Sequence, residues 1–282
     1  MAHTWTAAPV LSRARALIIA GHPVPVLAIT ALTTTLAAQA APHGIGPVLT
    51  APAMLAGQLS VGWSNDASGA PRDVAAGRTD KPIATGTIGA RTVWIAAFAA
   101  LPAALAMSLA IGVVTAIILA VIIGANWAYN LGLKSTLADG LILLPAFGLL
   151  PAYATSTLPG HPLPAWWASA GAALLGVGGY FATVLPDLAA DRATGVNGMA
   201  QQVAARWGAG AVRGVVLVLV LVPSVLLLLA SSRQWVGVAG LGAAVPLAVI
   251  AARGTGRVPL WAVIGLGAVD AVVFGVGGCA LT

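Results

Sequence analysis

The chain has 282 residues, of which 59% are hydrophobic and only 7% charged, and its mean hydropathy is +0.97. A water-facing surface on a soluble domain needs about 25% charged residues, so this composition excludes one and indicates a polytopic membrane protein. The net charge of +6 and pI near 10.5 do not indicate nucleic acid, because the basic residues are spread over short loops instead of lying along one stripe. A single cysteine, Cys279, excludes an internal disulfide and a cysteine metal cluster.

Runs of about 20 apolar residues match a hydrocarbon core roughly 30 Å thick, and their weak alternation argues against an outer-membrane barrel. The expected fold is all-α, one domain over residues 1–282 with nine transmembrane helices. The first runs from 11 to 39 and is kinked at His22-Pro23-Val24-Pro25, where two prolines remove backbone donors. Arg13 and Arg15 precede its apolar run without a small-residue cleavage pattern, which reads as an uncleaved lead. The others are expected at 45–63, 90–109, 111–130, 140–157, 166–184, 209–230, 235–252 and 258–281, with a strong turn at Leu158-Pro159-Gly160-His161-Pro162.

This count can be tested against loop charge. Arg13, Arg15, Arg72, Arg78, Lys81, Arg91, Lys134, Arg192, Arg206, Arg213, Arg253 and Arg257 all fall on one side of a nine-helix bundle, and only Arg233 falls on the other. By the positive-inside rule the N-terminus and the polar loops after helices two, four and six are cytoplasmic, and the chain is a multi-pass protein of the cell membrane.

Two of those loops hold five of the seven acidic residues, all aspartates, in a chain without glutamate. The first, 64–86, reads SNDASGAPRDVAAGRTDKPIATG, and the second, 185–195, reads LPDLAADRATG. Asp66 and Asp73 are seven residues apart, two helical turns, and share a face with Asn65 beside them if the second helix continues past Asn65. Asp187 and Asp191 are four apart, again one face, with Pro186 suited to a first helical turn. Paired carboxylates at the mouths of two helices are suited to Mg²⁺, which takes oxygen ligands and is commonly held by one or two carboxylates plus substrate phosphates. Arg72, Arg78, Lys81 and Arg192 lie among them and could meet phosphate oxygens directly. The plainer reading is that these are solvated loop charges that orient the chain.

The run from Asn65 resembles the first signature of the UbiA superfamily of intramembrane prenyltransferases, N-D-x-x-D-x-x-x-D, followed by G-R-T-D-K-P at Gly77 to Pro82 as in actinobacterial members. Asp187-Leu-Ala-Ala-Asp191 resembles the second signature, and Tyr129-Asn130-Leu-Gly-Leu-Lys134 resembles the tyrosine-to-lysine stretch after helix four. The resemblance implies a prenyl diphosphate, two Mg²⁺ ions held by Asp66, Asp73, Asp187 and Asp191, and capture of the prenyl cation by an aromatic or other lipophilic acceptor. It implies that Arg72, Arg78, Lys81, Lys134 and Arg192 clamp the diphosphate, with Asn65, Tyr129 and Asn130 binding or orienting it. One position departs from the signature: Gly69 stands where the middle aspartate is expected. That leaves open a membrane terpene cyclase acting on a prenyl diphosphate alone, and from another class a non-catalytic lipid-binding or transport protein.

Asn126, Asn130 and Lys134 recur every four residues and form a polar stripe, which either contacts substrate or hydrogen-bonds between helices. Asp270, isolated in the last apolar run, is either an acceptor-binding group or proton acceptor, or a protonated carboxyl buried against a neighbouring helix. His22 lies at the proline break and either lines the cavity or is structural. Trp63, Trp94, Trp127 and Phe181 are candidate cavity walls, whereas Trp5, Trp166, Trp167, Trp235 and Trp261 suit an interfacial belt.

Overall fold

The computed structural model describes residues 10–40, 45–188, 191 and 196–282. They form helices α1 (Val10–Ala20), α2 (Pro23–Ala40), α3 (Ile45–Ala75), α4 (Ala90–Ile111), α5 (Val113–Leu131), α6 (Asp139–Gly148) and α7 (Leu150–Thr155). After these come α8 (Trp166–Val184), α9 (Met199–Ala230), α10 (Gln234–Arg253) and α11 (Val258–Val276). Eight of them are long and apolar enough to cross a membrane; the stretch 140–157, read from sequence as one helix, holds two short helices, α6 and α7, meeting at Leu149.

The kink expected in the first helix is a full break. Proline at positions 23 and 25 starts α2 afresh, and His22 adopts a left-handed backbone (φ 53°) that a non-glycine residue occupies only when its surroundings impose it. Here the surroundings are clear. A side chain at Gly62 of α3 would collide with the Gly21 backbone, so the absence of one lets the break seat directly on α3. Trp63 Nε1 then donates to Leu17 O at 2.9 Å, fixing α1 beside it.

The second apolar run continues well beyond Trp63. As a 31-residue helix, α3 is about 46 Å long, more than the hydrocarbon thickness, so its C-terminal turns carry Asn65, Asp66 and Asp73 out of the apolar layer on one continuous rod. Pro71 and Gly69 lie inside that helix without ending it.

Packing closes the bundle into a ring: α2 lies on α3, then α4, α5, α6, α8, α9, α10 and α11 follow in order, and α11 returns to α2. Outward faces carry exposed Ile95, Phe98, Ile117, Val218 and Val238, as a lipid-facing surface requires. The loops after α3, α5, α8 and α10 meet at one end, linked by Lys134 to Asn65 and by Arg257 to Asp80. At the opposite end Ala165 N–H donates to Leu281 O, and Arg233 N–H to Gly277 O.

Candidate active site

A cavity of about 940 Å³ occupies the middle of the ring, at the large end for small-molecule sites. Its lining comes from α2, α3, α5 to α8 and α11, with nothing from α4, α9 or α10. On α11 the lining positions run from Leu260 to Val276 on one helical face, a stripe about 24 Å long at 1.5 Å per residue. The cavity therefore runs most of the way across the apolar layer. One mouth is polar, framed by His22, Asn65, Asn130, Tyr129 and Tyr180; the rest is largely apolar, with Ile29, Leu32, Leu175 and Ile264, and has Thr35, Gln39, Gln58 and Asn126 among its polar positions.

Trp63, Trp94, Trp127 and Phe181, expected as walls, do not line it. Trp94, Trp127 and Phe98 stack on one another instead, with centroids 5.1 to 5.8 Å apart, Trp63 braces α1, and Phe181 is buried behind Tyr180. The aromatic walls are Tyr129, Phe147 and Tyr180; Phe147 packs flush on α8 because Gly176 has no side chain to strike its ring.

At the polar mouth the first acidic stretch is already partly neutralised. Asp66 is 3% exposed, and its Oδ1 accepts from Lys81 Nζ at 2.5 Å and from His22 Nε2 at 3.0 Å. Asn65 Oδ1 accepts from Lys134 Nζ at 3.4 Å. Asp73, two turns on, is half-buried, and Arg72 is exposed. A Cβ at Gly69 would have only Asp73 Oδ2 near it, at 3.5 Å, so the missing aspartate leaves a gap beside the Asp73 carboxylate.

Asp80 binds Arg78 through both oxygens, at 2.8 Å to Nε and to Nη2. That pair holds the Asp80 carboxyl well below the usual range and raises Arg78 above its own. Arg78 is also within electrostatic reach of Asp73 and Asp187, and Arg72 within reach of Asp191. The two acidic stretches thus converge on one set of arginines at one end of the bundle.

The second stretch opens with a 3₁₀ turn at Leu185–Asp187, leaving Asp187 exposed. Asp191 Oδ2 accepts from Gln201 Nε2 at 2.8 Å. Burial pushes the Asp191 carboxyl up, opposed by the Gln201 amide and Arg72, while the Asp187 charge adds to the rise. Arg192 lies outside the described residues.

Asn130 lines the cavity and also ties helices together, donating from Nδ2 to Val61 O at 3.0 Å and Ser64 Oγ at 2.8 Å. Asn126 donates to Ile122 O on its own helix. Lys134 stands at the rim; burial pushes its ammonium down to about 8, with Arg72 adding to the fall.

One group was not singled out in the sequence. Asp139 is fully buried and accepts from Tyr180 O–H, from Met199 N–H at 3.0 Å and from Gly140 N–H at 2.6 Å. It thereby joins the two helices that flank the second acidic stretch. In the sequence it looks like an ordinary loop aspartate, and only Gly198 hints otherwise, since a side chain there would occupy the place of the Asp139 carboxylate.

Among the described residues no three carboxylate, histidine or cysteine side chains converge on a single point. The donors present are hard oxygens spread over two facing stretches beside arginines. That set fits Mg²⁺ held by one or two carboxylates with phosphate oxygens completing the shell, and does not fit an all-protein metal cage.

The fold is found in solved structures. A UbiA homologue from Aeropyrum pernix K1 superposes with a TM-score of 0.68 at 15% identity, covering 89% of this chain and 96% of that one. A UbiA homologue from Archaeoglobus fulgidus bound to DMAPP and Mg²⁺ gives 0.64 at 18% identity, covering 93% and 97%. A structure of digeranylgeranylglyceryl phosphate synthase gives 0.67 at 13% identity, covering 93% and 97%. No functionally curated protein matches the sequence. The profile of the UbiA prenyltransferase family, however, matches residues 26–260, nearly the whole ring and both acidic stretches, and the chain belongs to that family.

Proposed function

We propose that the chain transfers a prenyl group from a prenyl diphosphate to a lipophilic acceptor within the membrane, releasing pyrophosphate with the help of Mg²⁺. The observation that carries this reading is the shape of the cavity: a polar mouth beside two acidic stretches and their arginines, continuous with a largely apolar shaft, the whole lined along about 24 Å of α11. Two structures of a UbiA homologue from Archaeoglobus fulgidus are bound to DMAPP or GPP together with Mg²⁺, which supports the same substrate class.

The diphosphate sits at the mouth, where Lys134, Arg72 and Arg78 supply fixed positive charge and Asn65 orients it. Asp73, Asp187 and Asp191 would hold Mg²⁺, with Asp66, whose Oδ1 accepts from Lys81 and His22, beside them. Bound Mg²⁺ neutralises the charge that develops on the leaving oxygen. As the C1–O bond breaks, the electron pair departs with pyrophosphate, and the acceptor forms its bond to C1 and loses a proton. The largely apolar shaft keeps water from the prenyl cation, and Tyr129 and Tyr180 line the mouth, where an aromatic ring can stabilise it.

Purified protein in nanodiscs, given prenyl diphosphates of several lengths, should release pyrophosphate only with Mg²⁺, and Asp187→Asn should abolish release. Metal-independent release, or full activity in Asp187→Asn, overturns the proposal. A cyclised product from prenyl diphosphate alone would replace transfer by cyclisation at the same site.

A further inference from the structure

Asp270 lies twelve residues into α11, about 18 Å from its start, and is 7% exposed. Ser224 Oγ of α9 donates to its Oδ1 at 2.7 Å. Its Oδ2 has no hydrogen-bond partner among the described residues, although it is buried in the apolar layer. A lone polar atom there is expensive to maintain.

Asp270 lines a second pocket of about 80 Å³, whose other walls include Leu36, Trp167, Leu227 and Phe274. This chamber adjoins the main cavity: Leu32, Ala172, Leu175, Gly267 and Ala271 line both. At the junction three of those five are alanine or glycine, so a chain lying in the shaft can turn its end into the chamber. Trp167 and Phe274, with centroids 6.2 Å apart, form its aromatic wall.

We propose that this chamber is a binding subsite for the hydroxyl end of a lipophilic molecule lying in the main cavity, recognised by Asp270 and Ser224. A hydroxyl both donates and accepts, so it satisfies Oδ2 whether the carboxyl is ionised or protonated. A volume of about 80 Å³ takes a hydroxyl and a few carbons, given that a water's share of liquid volume is about 30 Å³. Water alone is a poor occupant, because the remaining walls are apolar and a buried water ordinarily makes about three hydrogen bonds. The subsite does not depend on the transfer reaction, and it discriminates by the far end of the ligand, not by its diphosphate.

The test is binding without turnover, in nanodiscs free of Mg²⁺. Radiolabelled long-chain diols carrying one terminal hydroxyl at each end are compared with the matching mono-alcohols, so that only the far hydroxyl differs. Wild type should bind the diol about five- to tenfold more tightly, the scale of one good hydrogen bond. Asp270→Leu should erase that preference while leaving mono-alcohol binding unchanged, and Asp270→Asn should keep most of it. Equal binding of diol and mono-alcohol by wild type, as expected if only water occupies the chamber, overturns the subsite. So does a preference that persists in Asp270→Leu. Pyrophosphate release by the same preparations is scored separately, so failure of the subsite and failure of the transferase reading are distinguishable.

Discussion

Lys81 Nζ lies 2.5 Å from Asp66 Oδ1, so the first acidic residue of the mouth is paired within the chain before any ligand arrives. The Asp66 side chain is 2% exposed and that of Lys81 18%, which puts the pair well out of water. Breaking a buried pair by removing one partner leaves an uncompensated charge. Lys81→Met should therefore destabilise the protein by about 2 kcal/mol, below the 3–5 typical of fully buried pairs because Lys81 retains some solvent. Asp66→Asn in the Lys81→Met background should restore part of the loss. Thermal unfolding in nanodiscs reads both; an unchanged unfolding temperature for Lys81→Met would show that the pair carries no weight.

Lys134 gives the site a pH limit. Burial holds its ammonium at about 8 in the folded chain, so it is charged below that pH and neutral above it. A diphosphate needs the charged form, and kcat/KM reports the free enzyme, so kcat/KM should fall as pH rises through about 8. Lys134→Arg keeps its charge far into base and should remove that limb at a modest cost in rate. The sign for stability is opposite: the unfolded chain binds the extra proton between about pH 8 and 10.4, so this residue's contribution to stability improves as pH rises across that window.

Gly69 offers a gain-of-function test. An aspartate there would meet nothing but Asp73 within 4 Å of its Cβ, so the side chain fits and adds a carboxylate to the mouth. Gly69→Asp should lower the Mg²⁺ concentration that gives half-maximal pyrophosphate release, whereas Gly69→Asn should not. Gly69→Ala should stabilise α3 by about 1 kcal/mol through helix propensity alone. If Gly69→Asp leaves the Mg²⁺ dependence unmoved, Asp73 is not beside the metal.

The architecture was largely legible in the letters, because apolar runs of membrane-crossing length and the paired aspartates survive into the structure. Where helices run on or break was less so. The second helix was expected to end at 63, yet it runs on to Ala75 through Gly69 and Pro71, and Leu149 splits an apolar run that sequence reads as continuous. Partner choice was the least legible. Asp66 and Lys81 are 15 residues apart, Asp66 and His22 are 44 apart, and nothing in spacing foretells that the three meet. The expected aromatic walls failed for a similar reason: a tryptophan's position along a helix is readable, but which neighbour it stacks on is set by packing.

Asp139 holds the second acidic stretch from behind, and its removal should show as lost geometry. Tyr180 lies seven residues before Asp187, and Met199 eight residues after Asp191; both end on the Asp139 carboxylate, which also sits at the N-terminus of α9, where negative charge is favoured. Tyr180→Phe leaves one carboxylate oxygen with fewer donors and should cost about 1–3 kcal/mol. Gly198→Ala should cost at least as much, since the new methyl displaces the carboxylate and loosens every bond at once. In both variants Asp187 and Asp191 remain present but less well held, so kcat should drop more than KM rises, the pattern of a lost transition-state arrangement. Unfolding temperature and steady-state kinetics measured together decide it: a Gly198→Ala protein with wild-type stability and rate would mean that Asp139 does not position the loop.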